Sequence, residues 1–290
     1  MLIGSNGQVG TEITRLWSMW PALANISLTG LTHADIEITD QQALASKLDE
    51  TRADLIINTA GFLRVDECES SPERACLVNG VAVKYLADYA ATRGCKVVQF
   101  STDYVFDGAK GAPYTEADAP SPINVYGFSK LLGEHVLRRG LPDDHLIVRT
   151  AGVFGIAGSR NKGGNFIETM LRLADAGREI AVVDDQRFSP AYAPDLAGAV
   201  LTLIEVEARG TIHVTNSGVT TWHELAKAAF VESRLEPKMR AVTSEEYGAA
   251  ASRPCYSALD NSRLTTFGIP RLRPWREALN AYLSEREAKA

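Results

Sequence analysis

Short apolar runs alternate with helical patterns through the first half of the chain, and this alternation constrains the fold more than any other feature. The runs are MLI (1–3), ISLTGLT (26–32), ADLIINTA (53–60), KVVQFST (96–102) and HLIVRTAGV (145–153). Several are apolar without a break, which is how a strand reads when other layers cover both of its faces. Strand, helix and strand in succession make parallel connections, so the pattern predicts an α/β fold with a doubly wound parallel sheet. The clearest helix lies between the third and fourth runs. Ser71 is placed as its N-cap, Pro72 at the first helical position, Glu73 in the first turn and Gly94 as the stop, with Ala75, Val78, Val81, Ala82, Tyr85 and Leu86 at helical spacing.

The first strand runs directly into Gly4-Ser5-Asn6-Gly7-Gln8-Val9-Gly10, followed by the helical pattern TEITRLW. Glycines in such a turn let a pyrophosphate approach the backbone, and the helix that follows offers free N–H groups and a favourable dipole. Read alone, the motif is equally a plain strand–helix turn. Its place between a first strand and a first helix makes it a Rossmann-type dinucleotide loop. Only Met1, Leu2 and Ile3 precede Gly4, a very short strand for the centre of a sheet. The second run ends at Thr32 and His33, with Asp35 further on, so no carboxylate stands at the tip to repel a ribose 2′-phosphate. The cofactor expected is therefore NADPH, with NADH also accepted.

After residue 155 the pattern changes. A glycine-rich basic loop, IAGSRNKGGNF, leads into FIETMLRLADAG, AVVDDQRFSP, PDLAGAVLTLIEVE, TIHVT and TWHELAKAAFVES, and the remainder is richer in Pro and Arg. At 290 residues the chain exceeds one average domain. Residues 1–155, joined by roughly 180–215, are expected to form the NAD(P)-binding domain. Residues 156–290 would form most of a smaller, interwoven substrate-binding lobe. The net charge of −6 and the lack of a Lys/Arg run argue against a nucleic-acid partner. Cys68, Cys76, Cys95 and Cys255 show neither a CxxC pair nor a zinc spacing, as suits free thiols in a reducing compartment. The chain opens without a basic or apolar leader, and its apolar stretches break well short of about 18 residues. A cytoplasmic protein without a membrane partner is expected.

The stretch NVYGFSK (124–130) places Tyr126 and Lys130 four residues apart, on one face of a helix. An ammonium beside a phenol favours the phenolate and lowers a pKa that is ordinarily ~10. The same Lys is able to bond nicotinamide ribose hydroxyls. Such a pair arises by chance in many helices. Here it follows a parallel strand ending Ser101-Thr102-Asp103, and ligands of doubly wound sheets sit beyond the carboxyl ends of the strands. Thr102 would then share a substrate oxygen with Tyr126.

STDYVFDG followed by YGFSKLLGE, together with LIINTAGFLRVDECE, HLIVRT, GGNFIETMLRLA, DDQRFSPAYAPDLA and GVTTWHELA, resembles the extended short-chain dehydrogenase/reductases. Within them the chain is similar, over nearly its whole length, to the dTDP-4-dehydrorhamnose reductase family. That resemblance implies NAD(P)H-dependent reduction of the 4-keto group of dTDP-6-deoxy-L-lyxo-4-hexulose to dTDP-L-rhamnose. It makes Tyr126 the proton donor, Lys130 its partner and Thr102 the third polar group. Gly4, Gly7, Gln8, Val9 and Gly10 would line the pyrophosphate, with Asp35 and Ile36 by the adenine and Gly61, Phe62 and Leu63 along the cofactor's middle. Val65, Thr102 and Asp103 would face the sugar nucleotide. A homodimer is implied. Glu12 matches one ligand of a magnesium site found in some members, but the other ligands have no match, so no metal is expected.

Where many members have RTSW, this chain has Arg149-Thr150-Ala151-Gly152, which removes an aromatic wall beside the sugar. A dianionic sugar nucleotide needs cationic or amide partners, for which Asn165 and Arg253 are the candidates and Arg160, Lys162 and Arg187 lesser ones. Trp222 reads as packing, His223 as surface, and Asn79 as a mid-helix amide without a catalytic role. Two other classes remain open. One is a dehydratase or epimerase on the same fold, although Asp103 is followed by Tyr104 and not by the Glu that water loss employs. The other is a nucleotide-binding regulatory subunit like that of methionine adenosyltransferase. General acid catalysis contributes ~100- to 10,000-fold, so Tyr126→Phe is expected to lower kcat by that factor in a steady-state assay; near wild-type turnover would remove Tyr126 from the chemistry.

Overall fold

A computed structural model describes residues 1–23, 25–158 and 164–289. The first half runs β1 (Leu2–Ile3), α1 (Gln8–Trp17), β2 (Gly30–Leu31), α2 (Gln41–Thr51), β3 (Leu55–Asn58), α3 (Val65–Ser70), α4 (Pro72–Cys76), α5 (Ala82–Arg93), β4 (Lys96–Thr102), α6 (Val125–Gly140) and β5 (His145–Thr150). The second half runs β6 (Val153–Phe154), α7 (Phe166–Asp175), β7 (Ile180–Val183), β8 (Arg187–Phe188), β9 (Ala191–Tyr192), α8 (Ala193–Glu205), β10 (Gly210–His213), β11 (Thr220–Thr221), α9 (Trp222–Glu232), β12 (Met239–Val242), α10 (Ser244–Tyr247) and α11 (Trp275–Lys289).

Six strands form one parallel sheet in the order β10-β5-β4-β3-β1-β2. From β1 the chain steps first to β2 on one side and then to β3 on the other. The order therefore reverses at β1, which opens a crevice beyond the carboxyl ends of the strands. Short as it is, β1 is an interior strand, with Leu2 and Ile3 buried and paired on both sides. Successive residues of each strand enter opposite layers. Val98, Phe100, Leu146 and Val148 pack with Ile13, Leu196 and Val200 of α1 and α8. Val97 and Ile147 pack with Leu44, Leu86 and Leu137 of α2, α5 and α6. A separate core lies between α7, α9 and α11, built on Ile167, Leu171, Leu225, Phe230, Leu279 and Tyr282.

The sequence reading needs four corrections here. The run at 26–32 is a strand only at Gly30–Leu31. The fifth run ends at Thr150, because Gly152 takes a positive φ of 47° and turns the chain into β6, which pairs with β9 outside the main sheet. Ser71 precedes Pro72 but makes no side-chain cap. The helix it opens is not uniform either: α4 passes through a π-helical turn, Leu77–Val81, before α5, and Asn79 sits in that turn. Gly94 ends α5 at a φ of 69°.

One charged cluster is sealed between α6 and the sheet. Glu134 is fully buried and accepts from Ser101 Oγ of β4 at 2.6 Å, from Arg149 Nε and Nη2 of β5 at 2.8 and 2.7 Å, and from Arg138 Nη2 at 2.6 Å. These donors hold its carboxyl below the usual range against the upward push of burial. Arg149 is only 1% exposed. Glu134→Ala strands that guanidinium, and removing one partner of a buried pair costs about 3–5 kcal/mol. Urea unfolding should register a loss of that size, and a loss below ~1 kcal/mol would show that the cluster does not hold α6 down.

Candidate active site

Asn124 caps α6. Its Oδ1 accepts from Gly127 N at 2.7 Å, its Nδ2 donates to Ser252 O at 2.8 Å, and Val125 N donates to Glu69 Oε1 at 2.9 Å. This fixes the first turn, which carries Tyr126, and Lys130 follows one turn on. Lys130 is 5% exposed; burial pulls its pKa down to about 8, opposed by the charge of Glu134. The half-buried Tyr126 departs from expectation. Burial raises its pKa, and the opposing contribution is a hydrogen bond with Thr102 rather than the Lys130 charge. A phenol shifted in that direction stays protonated at neutral pH, as a proton donor must.

The end of β4 supplies the groups that face this phenol. Thr102 Oγ1 accepts from Tyr104 N at 3.2 Å, capping the short 3-10 turn Asp103–Val105, and donates to Asp103 Oδ1 at 3.0 Å. Asp103 is 4% exposed, and its other oxygen accepts from Ser257 Oγ at 2.5 Å. Burial outweighs these bonds and pushes its carboxyl up to about 7. The Tyr104 ring meets Tyr126 edge-on at 6.1 Å.

The opening glycines form a cradle. Gly4 takes a φ of 81° and its carbonyl accepts from Gly7 N at 2.9 Å. A Cβ on Gly10 would stand 2.2 Å from that same carbonyl, so only glycine fits there. Gln8 opens α1, is nearly buried, and its Nε2 has no partner. An orphaned amide donor beside free helix N–H groups fits a pyrophosphate. Val9 packs against the α1 and α8 layer. Asp35 accepts from both Thr32 N and Thr32 Oγ1 at 2.7 Å, closing the turn after β2. Ile36 packs into the core, and its N–H donates to Thr32 O within the same turn.

Phe62, in the middle of the 61–63 loop, is held by Asn79, the mid-helix amide without a catalytic role. Asn79 Oδ1 accepts from Phe62 N at 2.9 Å, and Asn79 Nδ2 donates to Phe62 O at 3.0 Å and to Ser129 Oγ at 2.9 Å. Ser129 in turn donates to Tyr126 O. Asn79 thus ties the loop after β3 to the Tyr–Lys turn, and the signal for it is an amide on the buried side of an apolar helix. Gly61 lies beside the lysine, since a Cβ built on it would be 3.7 Å from Lys130 Nζ.

The substrate-side candidates divide. Val65 opens α3 next to Asp66, whose carboxylate takes Arg253 through both oxygens at 3.2 and 2.9 Å and accepts from Ala251 N. The Arg253 charge also acts on Tyr104, whose ring meets Tyr126, so it belongs to the same neighbourhood. Asn165 does not. It caps α7 through Glu168 N, and its Nδ2 donates to Gly155 O and Tyr282 Oη inside the lobe. Arg187 is exposed on β8, while Arg160 and Lys162 lie outside the described residues. A Cβ at Gly152 would fall 2.3 Å from the Phe188 ring, which stacks on Trp222 at 4.0 Å within the core of the lobe. His223 is half-buried, 3.7 Å from Asp184, and not a free surface residue. Glu12 is buried and pairs with Arg15; among the described residues no three His, Cys, Asp or Glu side chains group as a metal site.

A parallel sheet with a glycine cradle at its switch point and a Tyr–Lys turn at the end of β4 defines an extended short-chain dehydrogenase/reductase. The chain belongs to the family described as the RmlD substrate binding domain, whose model matches residues 1–288. It is 40% identical over 288 residues to the spore coat polysaccharide biosynthesis protein SpsK of Bacillus subtilis (strain 168), covering 99% of this chain and 98% of that protein. It is 38% identical to dTDP-4-dehydrorhamnose reductase of Streptomyces griseus, covering 96% and 91%. The crystal structure of dTDP-4-dehydrorhamnose reductase from Bacillus anthracis in complex with NADP superposes with a TM-score of 0.91 at 33% identity, covering 98% of each chain. A hydrogen bond to a charged group is worth about 1.5–3 kcal/mol, so Gln8→Met, which keeps the shape but not the donor, should weaken NADPH binding ~10- to 150-fold in a fluorescence titration; unchanged affinity would show that the orphaned amide does not meet the cofactor.

Proposed function

We propose that this protein is an NAD(P)H-dependent oxidoreductase that reduces the 4-keto group of dTDP-4-dehydro-L-rhamnose to give dTDP-L-rhamnose. The observation that carries the reading is the placing of Tyr126 just past the end of β4, its ring edge-on to Tyr104 at 6.1 Å and Lys130 one turn on, in a chain that matches the reductase family along its length. When bound, NADPH, or NADH in its place, supplies the hydride. Gly4, Gly7, Gln8, Val9 and Gly10 hold the pyrophosphate, Asp35 and the Ile36 backbone face the adenosine, and Gly61, Phe62 and Leu63 line the middle. Tyr126 gives its proton to O4 of the keto-sugar. Lys130, still mostly protonated at neutral pH with its pKa near 8, stabilises the phenolate left behind and bonds the ribose.

Val65, Thr102, Asp103 and Arg253 face the sugar nucleotide in this reading. Asn165 is a cap and leaves the substrate set. Residues 1–155 with roughly 180–215 bind the cofactor, and most of 156–290 bind the sugar. We also place the enzyme in the cytoplasm, as a homodimer. Its acidic balance and the absence of a disulfide among the described residues support that compartment, and among the described residues no helix is long and apolar enough to cross a membrane.

The presence of Asp103-Tyr104 in place of an Asp-Glu pair argues against a dehydratase, which needs an acid and a base together. Purified protein given NADPH and dTDP-4-keto-6-deoxy sugars of both series should oxidise the cofactor stoichiometrically and yield dTDP-L-rhamnose with a single C4 configuration. Conversion without net NADPH oxidation would point to an epimerase or dehydratase. Cofactor binding without turnover of any such sugar would point to a regulatory subunit.

A further inference from the structure

Most buried hydrogen-bonding side chains of a folded protein have a partner, and each exception needs a cause. Among the described residues three buried side-chain atoms have none: Gln8 Nε2, Thr150 Oγ1 and Thr215 Oγ1. All three lie along one rim of the molecule. Gln8 opens α1 just past β1, Thr150 is the last residue of β5, and Thr215 comes two residues after β10, so each stands at the carboxyl end of a strand of the six-stranded sheet. That rim is where a doubly wound sheet places its ligand. Gln8 has the pyrophosphate to meet, and Thr150 needs a partner of its own.

Thr150 is the register partner of Thr102 on β4, one strand spacing of about 4.8 Å away. Val98 and Phe100 of β4, like Leu146 and Val148 of β5, enter the layer of α1 and α8. Side chains alternate along a strand, so Thr102 and Thr150 turn toward the face of α1, whose N-terminus carries the glycine cradle. Tyr126 and Lys130 come from α6 on the other face. From the cradle beyond β1, the rim leads past the loop after β3, where Gly61 adjoins Lys130, and then to the ends of β4 and β5. A dinucleotide that begins on the cradle and ends beside Tyr126 follows this order of strands, and its last ring comes to the Thr102–Thr150 pair.

We propose that Thr150 is a cofactor-binding residue whose hydroxyl holds the carboxamide of the nicotinamide ring. A carboxamide offers an acceptor oxygen and a donor NH2, and a hydroxyl both donates and accepts, so either bond satisfies the orphaned atom. Thr150 is 8% exposed, and its hydroxyl therefore has little water to give up when the ring arrives. Its backbone is fixed by the ladder with β4 on one side, while Val214 N donates to Arg149 O on the other. A ring held at its carboxamide no longer turns over about its bond to the ribose, so one face stays toward Tyr126. The bonds that join the sugar-side candidates, Asp103 to Ser257 and Asp66 to Arg253, do not involve Thr150. The inference rests on a dinucleotide lying on the cradle with its ring beside Tyr126.

The test is the binding of two ligands to the wild type, Thr150→Val and Thr150→Ser, measured by calorimetry without sugar. One ligand is NADPH and the other is 2′-phospho-ADP-ribose, the same molecule with a hydroxyl in place of its nicotinamide. Valine keeps the branched shape and loses the hydroxyl; serine keeps the hydroxyl. A neutral hydrogen bond is worth about 2- to 13-fold in affinity, so Thr150→Val should weaken NADPH by that factor and leave the fragment unchanged, and Thr150→Ser should restore NADPH. A loss below twofold, or an equal loss for the fragment, overturns the proposal. So does an unchanged NADPH affinity with a raised KM for the sugar, which would give the hydroxyl to the substrate. The free protein supplies a second readout. A hydroxyl without a partner contributes nothing to the fold, so the urea midpoint of Thr150→Val without cofactor should equal or exceed that of the wild type. A lower midpoint, or a Thr150→Val that does not fold, would show the hydroxyl bonded in the free protein and overturns the proposal. A wild type that binds no NADPH would instead sink the cofactor reading, and this assignment with it.

Discussion

Glu134 stands one turn beyond Lys130 on α6 and is gripped from three directions by Ser101, Arg149 and Arg138. A buried ion pair contributes little net stability over a well-packed apolar pair, because desolvation offsets most of the attraction. What it contributes here is register. Ser101 precedes Thr102, and Thr150 follows Arg149 at the end of the neighbouring strand, so a carboxylate joined to both strands sets how far α6 slides along the sheet. Tyr126 and Lys130 inherit that setting. Behind Arg149 stands His213, buried and with its pKa pulled down to about 3, so a neutral imidazole and not a second cation faces the guanidinium. The Phe106 ring completes the enclosure at 5.1 Å from Arg149.

Much of this arrangement is legible in the sequence because it is local or repeats with a short period. The parallel sheet follows from unbroken apolar runs, and Tyr126 and Lys130 share a face because four residues make one helical turn. The glycine cradle is legible for a similar reason, since Gly4 and Gly10 are pressed together by the geometry of a single turn. The parts that were not legible depend on residues distant in sequence. Nothing near Asn79 shows that the helix loosens into a π turn there, because the partners that hold its amide are Phe62 and Ser129. Nothing near Gly152 shows that Phe188 will fill its space. Asn165 reads as a free amide until Gly155, Glu168 and Tyr282 are seen to occupy it. The length of β2 depends on tertiary pairing and not on β-propensity, as Ile26 to Leu28 continue the same apolar run but stay out of the ladder.

The largest departure concerns the phenol, and it follows from a difference between one turn of helix and a whole protein. On an isolated helix the ammonium would dominate, and the phenol would be the more acidic for it. In the folded chain, Asp66 and Asn124 draw residues 251–253 over the α6 N-terminus, and burial overtakes the pairwise charge. Desolvation disfavours whichever form is charged, so the same enclosure pushes Tyr126 up and Lys130 down.

These opposite shifts bear on the direction of the chemistry. Reduction of a ketone begins with a neutral acid in place and ends with an anion that must be tolerated, whereas oxidation of an alcohol begins with the anion. A site that keeps its phenol protonated and stores a nearby ammonium for the moment the phenolate appears is suited to the first sequence of events. Asp103 fits the same logic: a third group in the enclosure, it too is shifted by burial towards its neutral form. Burial thus biases all three titratable groups toward their neutral forms, raising Tyr126 and Asp103 and lowering Lys130.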